Sequence, residues 1–504
     1  MRKLTVILLA SCLMVIMPGC GGNTSAPGGP PLTNGATSPV SLTVTDTPPT
    51  GVQVLFFQLS ITGALMLPGN VSLLNTTNPV PVNVSQLQAE TAFLGTADVA
   101  TGTYTSLNLT FSNPQLTIFN GTGAAIGSCA TNTVCQLTPT TTPLTLTFSS
   151  SPFPVTVAVD TPLAFKLDIH LNTIIQPDMT VNLAATNGVS IEQLPPAPAS
   201  GPVAVLGNLI GTIQGLGTNQ FTLQSGDGRS LTIGVNSNTD YNFPSCAAGN
   251  FSCLATGQIV EVGVSLQQGG TVLATSVSYR QPAGQQVVEG NIIGLSTSSG
   301  NTIMQLILQK RPPTASALPI GQRAAVTVPS TGVTFSVDSN GFTIPGVLTF
   351  GAASDLMVGQ EVQVVVMGTV TTATGSGTST TGPLGPAPAI SFTANSVALE
   401  PSQITGTVAT VNLGGLSFSI NTFPNFFLPP GPVAAPPTFA PVPITVATTT
   451  QTNFQNFTPD TIQGISVGGV VSVGGWLFST PTGATLSTIA AKEVLGRPGP
   501  IPLF

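Results

Sequence analysis

The sequence predicts an all-β protein, a sandwich followed by three small closed barrels, and three observations carry that prediction. Apolar residues recur at every second position through most of the chain, with Thr and Val abundant and Gly, Pro and Asn at the breaks. Charged residues make up only 5% of the 504, so Thr, Ser, Asn, Gln and Gly must cover the surface, as in exported β proteins. A five-strand pattern then repeats three times in the C-terminal part.

Residues 1–20 come first. Arg2 and Lys3 precede an apolar run from Leu4 to Met17, broken only by Thr5, Ser11 and Cys12 and closed by Pro18-Gly19. That pattern is a secretory signal, and the run falls short of the ~20 residues of a spanning helix. Cys20 follows Gly19 and precedes Gly21-Gly22, an arrangement that resembles a bacterial lipoprotein signal. The resemblance implies lipidation of the Cys20 thiol, palmitate among the acyl groups, and the lipid bilayer of the cell envelope as partner. Each buried methylene would add ~0.8 kcal/mol to that anchoring. Leu9-Ala10-Ser11-Cys12 fits the same motif better at its outer positions but shortens the apolar run, so Cys12 is the alternative site, and ordinary secretion is the alternative to lipidation.

Residues 21–39, with Pro27, Pro30 and Pro31 and little apolar content, form a flexible tether. Residues 40–194 alternate as half-buried antiparallel strands, the pattern of a β-sandwich, with one short helix expected over Ser85 to Leu94. SLTVTDTP from Ser41, SITG from Ser60, ATGTYTSLNLTF from Ala100 and LAFKLDIHLNTII from Leu163 stand in the order of an uncharacterised bacterial lipoprotein domain family, which this region resembles. Thr47 stands where that family has Ala, and His170 where it has Asp; the resemblance implies compartment and fold, not activity.

Residues 195–202, PPAPASGP, read as a stiff linker. The repeats follow at 203–280, 287–400 and 403–494, with a tail at 495–504. Their first strands are VLGNLIGTI from Val205, VEGNIIGLS from Val288 and ITGTVATVN from Ile404. Their fourth strands are LATGQIVEV from Leu254, LMVGQEVQV from Leu356 and ISVGGVVSV from Ile465. Five strands with a Gly turn before the fourth resemble the OB-like barrels of a second uncharacterised family found in tandem in exported bacterial proteins, and the resemblance implies closed barrels filled by alternate side chains.

Without Arg2 and Lys3, eight basic residues face 17 acidic ones, a balance that argues against nucleic acid as a partner. Cys129 with Cys135, and Cys246 with Cys253, are close pairs suited to local disulfides in an oxidising compartment. A zinc site would need more ligands than the single His170 can complete, and no metal or cofactor is expected.

Candidate sites are few. Lys166, Asp168 and His170 share one face of a strand, either as a solvated face with cross-strand charge pairing or as the site of a hydrolase. The other acidic residues read as sparse and scattered, and no catalytic set emerges. Trp476 and Tyr104 are the rings considered for ligand contact, with Trp476 better suited to plugging a barrel than to forming a ligand shelf. Phe426 and Phe427 crowd the Pro-rich insertion at 423–443, which either covers a neighbouring unit or offers an apolar patch to a partner. The resulting expectation is a non-enzymatic, membrane-anchored envelope lipoprotein, in the periplasm or at the cell surface. It would act as an extended binding or scaffolding surface, toward an envelope protein or, as the alternative, a carbohydrate.

Overall fold

In the computed structural model the described residues run from Thr37 to Arg497, apart from 48–52, 75–78, 195–203, 281–285, 311–317, 373–387, 423–441, 481–485 and stretches of one to three residues. Cys12, Cys20, Phe426 and Phe427 lie outside the described residues.

The chain is all-β. Alternating apolar residues drive two sheets together over Leu42, Phe57, Leu94, Leu109, Phe165 and Leu167 to make the sandwich. The first sheet orders its strands as Val189–Gln193, Leu163–His170, Thr37–Thr47 and Ala92–Ala100. The second is built around the 15-residue strand Gln53–Leu67, flanked by Ser106–Phe111 and Gln115–Asn120. Pairing within these two sheets is antiparallel apart from Thr37–Thr47 against Leu163–His170, which is parallel with Val40 opposite Leu163. The helix expected over Ser85 to Leu94 is a single 3-10 turn, Val84–Gln86, and Leu94 already belongs to a strand, because its side chain fills the sandwich core.

Each repeat closes into a five-stranded barrel with the strand order 1-2-3-5-4 and back to 1, strand three running parallel to strand five. The first barrel uses Ala204–Gly217, Gln220–Ser225, Ser230–Gly234, Ile259–Leu266 and Val272–Tyr279. The second uses Gln286–Ser298, Asn301–Lys310, Arg323–Val328, Glu361–Thr372 and the start of Ile390–Asn412. That 23-residue strand then continues as strand one of the third barrel, so the boundary expected between Glu400 and Gln403 falls inside one unbroken strand. Ser417–Thr422, Val442–Ala447, Val470–Phe478 and Thr488–Arg497 complete the third barrel.

The turn before strand four is the same in all three. Gly257, Gly359 and Gly468 adopt φ of 89°, 97° and 84°, a region that disfavours any side chain. Their amides donate to the carbonyls of Ile213, Ile292 and Val408 at 2.8, 2.9 and 2.8 Å. Those bonds fix the equivalence of the first strands. Gly211, Gly290 and Gly406 are the matching positions, each so close to strand two that a Cβ would meet a backbone oxygen at 2.4, 2.5 and 2.7 Å. The sequence alignment through VLGNLIG therefore shifts by four residues in the first unit, from Gly207 to Gly211.

The units do not form an extended array. Arg229 Nη1 of the first barrel donates to the carbonyl of Phe93 in the sandwich, at 2.7 Å. Gln86 and Gln309 bond the sandwich to the second barrel, through Asn291 at 2.9 Å and the Leu55 carbonyl at 3.0 Å. Gln403 of the third barrel accepts from the Ala89 amide at 2.7 Å. Buried polar groups that find partners only in a neighbouring unit make separation costly, so the sandwich and barrels close into one ring.

Candidate functional site

The polar interior of this ring follows from the repeat. Counting from the matched glycines, one rim position on strands one, four and five reads Ile210, Glu261 and Arg280 in the first barrel. It reads Glu289, Gln363 and Glu400 in the second, and Thr405, Ser472 and Arg497 in the third. The geometry is reused: Arg280 Nε donates to Glu261 at 2.7 Å, and Arg497 Nε to Ser472 Oγ at 3.1 Å. Gln363 bonds Glu289 at 3.2 Å where Thr405 bonds Ser472 at 2.7 Å.

Where the first and second barrels meet, this rim gathers charge. Arg280, with a side chain only 8% exposed, forms ion pairs through Nη2 with Glu261, Asp338 and, at 3.2 Å, Glu400. Lys310 stands 3.5 Å from Glu289 and 3.8 Å from Glu361. Glu261, Glu289, Asp338, Glu361 and Glu400 are all buried, so five of the chain's 17 acidic residues occupy one junction. Burial opposes the Arg280 charge, but Glu261, Glu400 and Asp338 outweigh it and raise its pKa well above the ordinary arginine value. Burial pushes the Glu400 carboxyl well up, Arg280 pulling it back and Asp338 and Glu261 adding to the rise. Glu289 moves up likewise, through burial and then Glu261. On the same barrel burial lowers Arg323 to about 10. Glu261, Asp338 and Glu400 bring one oxygen each within 4.8 Å of one another, the spacing of a cation site, and Arg280 supplies the positive charge there.

A cavity of about 580 Å³ lies beside this cluster. All four units line it: Gln58 and Gln86 of the sandwich, Glu261 of the first barrel, Lys310 and Glu361 of the second, and Gln403 of the third.

The sequence-predicted residues fall elsewhere. Trp476 is 1% exposed, packs in the second barrel's core 5.1 Å from the ring of Phe342, and donates Nε1 to the Asp338 carbonyl at 2.9 Å. Tyr104 is fully buried in the sandwich and donates its hydroxyl to the Ala100 carbonyl at 2.9 Å. Trp476 thus takes the core-packing reading, and ligand contact is corrected for Tyr104 as well, because each ring is enclosed and its polar end is satisfied internally. Trp476 joins the second and third barrels.

Lys166 pairs with Glu192, its partner directly across the neighbouring strand. His170 Nε2 lies 3.2 Å from Asp168 Oδ2. The hydrogen bond that His170 donates to Asp168 raises the His170 pKa against the opposing effect of burial. Burial would raise the Asp168 carboxyl, but His170, Arg497 and Lys166 together lower it. Arg497 thus links the third barrel's rim to this face, and its Nη2 also donates to the Gln88 carbonyl. The two cysteine pairs are disulfides, Cys129 with Cys135 and Cys246 with Cys253.

Sequence reasoning missed the Arg280 cluster. A signal was there: Glu289, Glu261 and Glu361 interrupt apolar strands in a chain that spends few charges anywhere, at phases shared by the repeats.

Residues 210–278, within the first barrel, match a family described as a domain of unknown function, DUF5666. No curated protein matches the sequence. The chain is similar to the crystal structure of wild-type single-stranded DNA binding protein from Thermus aquaticus, at 11% identity over 44% of this chain and 95% of that one, with a TM-score of 0.14. It is also similar to drosophila Unr CSD456, at 12% identity over 60% of this chain and 100% of that one, with a TM-score of 0.13. The expectation that excluded nucleic acid is corrected here: one of these neighbours is itself named a single-stranded DNA binding protein, and scarcity of basic charge alone does not remove that class of partner. Likeness at these scores carries no argument for any particular partner of this chain.

Proposed function

We propose that this protein is a non-enzymatic lipoprotein of the bacterial cell envelope, exported by the signal in residues 1–20, anchored through Cys20, and acting as one rigid binding and scaffolding body. The observation that supports this reading most is the ring of buried contacts, Arg229 to Phe93, Arg280 to Glu400, Gln86 to Asn291 and Gln403 to Ala89. Modules that worked independently would be joined by polar, easily separated interfaces, whereas these units share buried ion pairs and one continuous strand. Two close disulfides and a charge-poor surface fit an oxidising compartment.

Metabolic labelling with a fatty-acid probe tests the anchor: label in the membrane fraction for wild type and Cys12→Ser, and none for Cys20→Ser. A cytosolic, unlabelled protein with free thiols would sink the reading. Pull-down from intact envelopes tests the binding role, with a reproducibly retained partner as the expected outcome.

A further inference from the structure

The charges at the wall of the cavity are already answered within the protein. Lys310 pairs with Glu289 and Glu361, Arg280 with Glu261, Asp338 and Glu400, and Arg229 is turned to the Phe93 and Leu94 carbonyls. In the first two groups five buried carboxylates face two cations, a surplus that repels an anion. What the wall leaves uncommitted is neutral. Among the described residues, the side-chain amides of Gln58, Gln115, Gln136 and Gln322 line the cavity and bond to no other protein group, whereas Gln86, Gln309 and Gln403 are spent on the contacts that close the ring. Strand register brings the uncommitted amides together. Gln58 stands directly opposite Gln115 on the neighbouring antiparallel strand, and Gln136, opposite Thr117, is the diagonal neighbour of Gln115 on the same face. The Thr117 hydroxyl donates to the Gly321 carbonyl and so holds the adjacent Gln322 of the second barrel at the same cavity.

Each amide presents an N–H donor and a carbonyl acceptor side by side. Two hydroxyls on adjacent carbons satisfy both, one donating and the other accepting. A sugar ring carries hydroxyls on successive carbons, whereas a peptide separates its polar groups with a carbon that bears a side chain, and an apolar ligand would strip water from the amides without replacing it. The volume, about 580 Å³, equals the space of about twenty water molecules and holds more than one sugar ring. We propose that this cavity binds a short neutral oligosaccharide, its hydroxyls on the amides of Gln58, Gln115, Gln136 and Gln322 and the C–H faces of its rings on Pro81 and Ile320. The ligand touches the sandwich and the second barrel together, so binding stabilises their junction by mass action.

Isothermal titration calorimetry and thermal unfolding of the full mature chain test this with cellotriose, maltotriose, triacetylchitotriose, glucose, trigalacturonate and N-acetyl-trialanine amide as probes. At least one of the three neutral trisaccharides is expected to bind and to raise the melting temperature. Glucose, the anionic trigalacturonate and the blocked peptide should each bind at least about tenfold more weakly. Gln115→Ala and Gln136→Ala, on exposed side chains, should each weaken the bound trisaccharide by about fivefold to tenfold and leave the unliganded melting temperature unchanged. Gln193→Ala, on an exposed side chain outside the cavity, should leave binding unchanged. Binding of no neutral trisaccharide at about 10 mM, preference for trigalacturonate or the blocked peptide, or undiminished affinity in both Gln115→Ala and Gln136→Ala would each overturn the inference. The inference rests on the binding-protein reading but fails separately from it. Labelled envelope protein with an indifferent cavity sinks only the sugar, whereas an unlabelled protein without an envelope partner sinks the reading itself.

Discussion

Two arginines at the same place in two barrels have different surroundings. Arg280, on the first barrel, is enclosed by Glu261, Asp338 and Glu400, the last two contributed by the second barrel. Arg497, on the third, meets Ser472 and the Gln88 carbonyl, and through its field Asp168. The repeat supplies the same rim position in each case; the neighbour decides whether the arginine becomes the hub of a buried cluster of carboxylates or a strut bonded to a hydroxyl and a carbonyl. The lesson is energetic. A buried ion pair gives little net stability when intact but leaves uncompensated charge when broken, whereas a hydrogen bond to a carbonyl costs far less to lose.

The sharpest way to break this comparison is to truncate both arginines. Arg280→Ala should destabilise by about 3–5 kcal/mol in urea unfolding at neutral pH, because three buried carboxylates lose their counter-charge. Arg497→Ala should cost about 1–2 kcal/mol. Equal losses would show that the two junctions do not differ in kind. Next in size, Gly290→Ala should cost about 1–3 kcal/mol, since the new Cβ would meet the Ile307 oxygen at 2.5 Å, while Gly351→Ala, with open space around it, should change little.

The comparison sharpens with pH. Burial raises the Glu400 carboxyl, so the stability it contributes is complete below its ordinary value of 4.5 and is lost as pH climbs through the raised folded value. Unfolding of Glu400→Gln should therefore show a smaller loss of stability between about pH 5 and 8 than wild type. At the other junction His170 is raised by Asp168, so its contribution is present below 6.5 and disappears as pH rises through its folded value. His170→Ala should cost under about 1 kcal/mol near pH 6 and nothing near pH 9; a constant cost across that range would remove the ion pair from the account.

Much of the barrel architecture was legible because it rests on local rules. GQ or GG before strand four marks a left-handed turn at Gly257, Gly359 and Gly468, and alternation marks which side chains fill each barrel. The first-strand register was misread where two glycines stood four apart, because only the contacts across strands single out Gly211. Trp476 could be placed beside strand four from its neighbours, but not in the core of a different barrel. The Arg280 cluster was hidden for a related reason: Glu261, Arg280, Asp338 and Glu400 span about 140 positions of chain and converge only because two barrels meet rim to rim.

The sequence by itself determined that the chain is all-β, that three barrels share one plan, and that four cysteines stand in two close pairs, because each follows from periodicity or short spacing. Only the tertiary structure decided that the units close into a ring around a cavity, and that scarce charges collect on its wall. Those outcomes depend on which buried polar groups find partners in another unit, and no local pattern along the chain encodes that choice.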